Sequence, residues 1–259
     1  MSTVLALACL VIKELYRRKD FYVLFVLTAL ITLLLGSINF FNDRNIVDYL
    51  KEMCLLMIWI SALVIAISAT ARQFPAELEN RTIFPLLAKP VSRGQLILGK
   101  FIGCWLACGL ALVVFYIFFG VISASRQHSL LALHYLQALC LQWAMLGVVV
   151  ALTLLGSVVF SAPSSNVTIC FIAVLGILLF GKHLNKVALQ LPEPRRTLLY
   201  TLYFLLPHLE WFDIRDVIIF HRPLVSWYDW VLAALYAAAY STFLLYATWL
   251  VFRRKPLNS

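Results

Sequence analysis

Six runs of apolar residues, each about as long as a lipid bilayer is thick, dominate this chain of 259 residues. They occupy 21–41, 53–71, 99–123, 136–160, 164–181 and 230–252. A helix rises about 1.5 Å per residue, so about 20 residues cross a hydrocarbon core of about 30 Å. In lipid every backbone N–H and C=O must be satisfied within the protein, and a helix achieves this within one segment. The pattern predicts an all-α polytopic membrane protein with six transmembrane helices, the fifth barely long enough. Composition agrees, with 63% of residues hydrophobic and 13% charged, where soluble proteins carry about 25% charged residues. No internal repeat, low-complexity tract or second domain interrupts the series, which reads as a single transmembrane domain over 1–259.

The segments outside the runs carry the organisation. Residues 1–20 begin with a short apolar stretch, 4–12, followed by Lys13, Arg17, Arg18 and Lys19. A signal peptide has the reverse order, so this segment is expected to be an interfacial helix, half in lipid and half among headgroups. Counting crossings puts residues 13–19, 72–100 and 253–255 on one side, which holds 12 of the 21 Lys and Arg. The short loops opposite hold Arg44, Lys51 and Arg126, and the loop 182–228 is long enough to cross regardless of charge. Both termini are therefore expected in the cytoplasm. Within 182–228, short helices between spans five and six are expected to cap the outer face. Glu210, Asp213 and Asp216 sit close enough to share a helix face there, with Arg215 interleaved as a salt-bridge partner.

Several chemistries lack their residues. Gly94 to Lys100 matches the first seven positions of a phosphate-binding loop, but the eighth is Phe101, where Ser or Thr must ligate magnesium, and no strand precedes it. No ATPase site is expected in this chain. Gly99 and Gly103 have a better reading as small residues, four apart, that let another helix approach closely. No Asp, Glu, Lys or Arg falls in the middle of a run, so there is no buried relay for ion coupling. The five histidines show no metal-binding spacing, and the six cysteines read as small buried hydrophobes. No catalytic, metal or cofactor site is predicted. The net charge of +9 lies beside the spans, where topology and anionic lipid account for it, so no nucleic-acid partner is expected.

The stretch between the second and third runs, 72–98, is about 28 residues long, more than a connection needs. Its apolar residues Ile83, Phe84, Leu86 and Leu87 are flanked by Glu77, Glu79, Arg81, Lys89 and Arg93. An apolar centre with a charged rim is how protein contacts are built. An amphipathic interfacial helix followed by a solvated turn has the same composition, and the residues alone do not separate the two.

Glu79-x-x-Thr82, then Leu87-x-x-Pro90-Val91-Ser92-Arg93, then Gly99-Lys100 resembles the segment after the second span in ABC-2 type transporter permeases. The six-span layout, the basic N-terminal helix and the long outer segment resemble that family over essentially the whole chain. Arg81 and Pro85 depart from its commoner pattern. The resemblance implies a permease subunit, an exporter, that pairs with a second, identical or homologous permease to form the pathway in the plasma (inner) membrane. It implies a separate ATPase subunit, holding ATP and magnesium, docked through Glu79, Thr82, Ile83, Phe84, Leu86, Leu87, Pro90 and Arg93. Two rival classes are a membrane-embedded lipid-modifying enzyme and a non-transport assembly subunit.

Overall fold

The computed structural model describes residues 3–17, 22, 26, 28–30, 44–79, 92–127, 132–160, 162–190, 195–220 and 222–254. Every regular element among the described residues is helical. Helix α1 is Thr3–Tyr16, α2 Arg44–Ala71, α3 Pro75–Glu79, α4 Arg93–Gln127, α5 Ala132–Val159, α6 Pro163–Gln190 and α7 Arg195–Leu205. A 3-10 turn, Leu209–Phe212, and the short α8, Arg215–Ile219, lead into α9, Trp227–Arg254. Among the described residues, four stretches are long and apolar enough to cross a membrane: Lys51–Glu77, Arg93–Ser123, Leu133–Val159 and Trp227–Arg254. Helix α6 has a shorter apolar part, Pro163–Leu179. The run at 21–41 lies largely outside the described residues, although Thr28 within it shares a 2.7 Å hydrogen bond with Ser61 of α2.

The helices outrun their apolar parts for local reasons. Helix α4 starts at Arg93, well before 99, because Ser92 and Gln95 form a reciprocal capping box. The Gln95 N–H donates to Ser92 Oγ at 3.2 Å and the Ser92 N–H donates to Gln95 Oε1 at 3.0 Å, satisfying two amides that a helix start leaves orphaned. Helix α6 opens on Pro163, whose fixed φ suits the first helical position, and continues past the apolar run to Gln190.

Helix α5 occupies the centre. Residues 145–151 are buried on every side, as expected of a helix that is apolar all round. It packs against α2, α4, α6 and α9. Helix α9 meets it along one stripe of mainly small residues, Ala233, Ala237, Ser241, Leu244 and Thr248. The other faces of α9 stay exposed, as at Leu235 and Phe243. Between α4 and α5, Trp105 and Trp143 stack at 4.6 Å. Each indole N–H donates to the other residue's carbonyl, at 2.9 and 3.0 Å. A Cβ on Gly109 would lie 2.5 Å from Trp143 Nε1, and one on Gly147 3.1 Å from Trp105 Nε1. The two glycines thus make room for the two rings.

The two ends of the bundle differ. The basic end carries Arg93, Lys100, Arg253 and Arg254, with a small core of Phe74, Leu96, Ile97, Leu154, Val158 and Phe252. The opposite end is closed by residues 206–220 and 222–226. There the Tyr236 hydroxyl accepts from the His208 backbone N–H at 3.0 Å, and the rings of Tyr203, His208, Trp211 and Tyr236 pack together. At the start of α5, His134 Nε2 donates to the Arg222 carbonyl and Gln137 Nε2 to the Val225 carbonyl, both at 3.1 Å. Glu210, Asp213 and Asp216 do not share one helix face. The backbone at Asp213 is extended, with φ −88° and ψ 94°, which separates the 3-10 turn from α8. Arg215 still pairs with Asp213 through two bonds of 2.8 and 2.7 Å and lies 5.3 Å above the Trp59 ring of α2. Those bonds to the Asp213 carboxylate are the main reason the Arg215 pKa is raised above its ordinary value.

Candidate functional site

The polar stretch 72–98 is rooted in the basic end. Helix α2 stops at Ala71, and a turn follows in which the Gln73 N–H donates to Thr70 O and the Ala76 N–H to Arg72 O, both at 3.1 Å. Pro75 then opens α3, which lasts one turn and a half, to Glu79. The last carbonyls of a helix lack intrahelical donors. Asn166, fully buried in α6, supplies one. Its Nδ2 donates to Ala71 O at 3.2 Å and to Thr153 O of α5 at 3.4 Å, while its Oδ1 accepts from Cys170 Sγ at 3.1 Å. Gly156 leaves the space for this amide, since a Cβ there would collide with Asn166 Oδ1.

Lys100 is the second root. It lies in the second turn of α4 and is 2% exposed. Taking an ammonium out of water costs several kcal/mol unless it is paired and hydrogen-bonded. Here Nζ donates to Gln73 O at 2.7 Å and lies 3.4 Å from Gln73 Oε1. It forms an ion pair with Glu77 Oε1 of α3 at 2.8 Å, and it sits 4.9 Å above the Phe74 ring. Phe74, also fully buried, packs 5.1 Å from Phe252 near the end of α9. One side chain of α4 thereby meets three successive parts of residues 72–79, the stem of this stretch: Gln73 in the turn, the Phe74 ring and Glu77 of α3.

Arg93 closes the same end. Its Nη1 donates to Phe252 O at 2.8 Å and Arg253 O at 3.0 Å, which caps α9, and the guanidinium lies 5.4 Å from the Phe252 ring. On the other side of α4, α1 runs against Gly99 and Gly103. A Cβ on Gly99 would lie 2.6 Å from Leu7 Cβ, and one on Gly103 2.7 Å from Val11 Cβ and 3.0 Å from Ala8 O.

Of the residues singled out in the sequence, Thr82, Ile83, Phe84, Leu86, Leu87 and Pro90 lie outside the described residues. Glu79 is exposed at the end of α3. Arg93, Gly99 and Gly103 engage α9 and α1 as above, and Glu77 turns inward to Lys100. Sequence reasoning named Lys100 only within the Gly99-Lys100 motif and the incomplete phosphate-binding loop, and passed over Asn166 and the Trp105–Trp143 pair. Lys100 had one signal, a lysine set in an apolar helix between Leu98 and Phe101, which must find an anion or leave the lipid. The Ser92-x-x-Gln95 pattern likewise announces the capping box.

No curated protein matches the chain. The family model described as ABC-2 family transporter protein matches residues 6–254. That match spans both the helix bundle and the rooted stem, and the chain, with its membrane-length apolar helices, belongs to the ABC-2 transporter family as an integral membrane protein.

Proposed function

We propose that the chain is the membrane-spanning permease subunit of an ATP-binding cassette transporter. It pairs with a second permease, identical or homologous, to form the pathway, and it works as an exporter in the plasma (inner) membrane. The basic end faces the cytoplasm with both termini. A separate ATPase subunit binds ATP and magnesium and docks on segment 77–93, with Ile83, Phe84, Leu86 and Leu87 as its apolar centre and Glu79, Thr82, Pro90 and Arg93 around them. The observation that carries this reading is the family match over 6–254. The incomplete phosphate-binding loop at 94–101 supports the assignment of ATP chemistry to another subunit.

The mechanism follows from differential binding. A nucleotide-driven partner shifts a two-state membrane protein only if its contacts differ between the states. Closure of the ATPases supplies that difference at segment 77–93, and the stem carries it into the bundle. Purified alone in detergent, the chain should hydrolyse no ATP. Vanadate-sensitive turnover by this chain alone would contradict the assignment.

A further inference from the structure

Segment 77–93 joins the bundle at both of its ends, through α3 and through α4. Thirteen residues, 80–92, separate these two helices. The buried contacts of Lys100 tie α4 to α3 directly. Its ammonium is bonded to Gln73 O at 2.7 Å and to Glu77 Oε1 at 2.8 Å, and it faces the Phe74 ring. Low local dielectric strengthens an ion pair that is kept from water and makes its separation costly. A displacement of α3 therefore either drags α4 or breaks a desolvated pair.

The rest of the basic end directs that displacement. Asn166 holds the end of α2, just before the turn, to α6 and α5. Arg93 holds the start of α4 to the end of α9. Between these two fixed points, Lys100 is the one charged side chain among the described residues that is both nearly fully buried at this end and bonded to α3. Its side chain is itself 2% exposed and meets the docking segment at Glu77, the first residue of that segment.

We infer that Lys100 is the positioning residue that couples the docking segment to the third span, so that movement of a docked ATPase reaches α4 through the Lys100–Glu77–Gln73 contact. The inference rests on the docking reading above. Without Lys100 the ATPase still binds and still turns over, but the far end of the bundle no longer responds.

The test uses the full chain with its ATPase in lipid nanodiscs. A cysteine replaces Phe220, exposed at the opposite end, in a background without native cysteines, and carries an environment-sensitive fluorophore. Three quantities are read: ATPase retained on purification, basal hydrolysis, and the emission shift produced by ATP with vanadate. Lys100→Met should keep the ATPase and its basal hydrolysis, yet reduce the emission shift about tenfold, within the range seen when a coupling residue is removed. Lys100→Arg keeps the cation and should keep most of the shift, a rescue that loss of packing alone would not give. Glu77→Gln should also weaken the shift.

A parental shift in Lys100→Met overturns the inference. So does loss of the ATPase from Lys100→Met, because Lys100 then belongs to the docking surface. If Lys100→Met does not fold, as judged by size-exclusion chromatography, the other two variants decide. A parental shift in Glu77→Gln, or no shift in a folded Lys100→Arg, overturns the proposal. If the parent chain itself retains no ATPase, it is the docking reading that fails.

Discussion

At Gly103 a single added carbon has nowhere to go. A Cβ would stand 2.7 Å from Val11 Cβ and 3.0 Å from the Ala8 carbonyl oxygen, and a backbone atom cannot swing aside as the end of a side chain can. Gly120, on the same helix, has nothing within 4 Å of its Cβ position. The same substitution should therefore have opposite effects. Gly103→Ala should cost about 1–3 kcal/mol through overpacking and loosen α1 from α4. Gly120→Ala should be neutral or stabilise by up to about 1 kcal/mol through helix propensity. Thermal denaturation midpoints in detergent separate the two, and equal midpoints would count against close packing of α1 on α4. At this scale the sequence was readable only where the signal is local. Gly99-x-x-x-Gly103 is such a signal, and Ser92-x-x-Gln95, passed over in the sequence, is another. The ion pair of Glu77 with Lys100 and the stacking of Trp105 on Trp143 join residues that only the folded bundle brings together, and no spacing along the chain announces them.

At the scale of elements, apolar length was the readable quantity, because a bilayer imposes it in one dimension. The expected runs 53–71, 99–123 and 230–252 fall within membrane-length stretches among the described residues, and 136–160 overruns Leu133–Val159 by one residue. Their ends were less readable. Hydropathy stops where polar residues begin, whereas helices stop where the backbone is capped, as at Ser92, or broken, as at Asp213. The short elements at 195–219 were hard to place for a related reason. Their acids suggested one helix face, but the extended backbone at Asp213 divides them. Sidedness can be tested with two exposed positions at opposite ends, Glu79 and Pro223. In a cysteine-free background, a membrane-impermeant thiol reagent should modify a cysteine at Pro223 in intact cells and spare one at Glu79 until the cells are opened. The reverse pattern would place the basic end outside and remove the docking segment from the compartment that holds ATP.

For the whole molecule, the docking reading assigns three tasks to three regions. The apolar helices around α5 provide the membrane body, segment 77–93 receives an ATPase, and the stem with Lys100, Asn166 and Phe74 joins the two. Motif order suggested a docking segment, and the membrane body was legible in the sequence through apolar length. The joint was not, since it consists of buried polar contacts between helices distant in the chain. The central claim is that this chain is driven by a separate ATPase held on that segment. Interfaces are usually dominated by a few buried apolar anchors, and Phe84 is the largest apolar residue of the docking centre. The most direct measurement is therefore co-purification of the ATPase with Phe84→Asp and with the parent chain at matched expression. The account predicts that Phe84→Asp stays in the membrane, elutes as the parent does, and loses the ATPase. Retention of the ATPase at the parental level would contradict it.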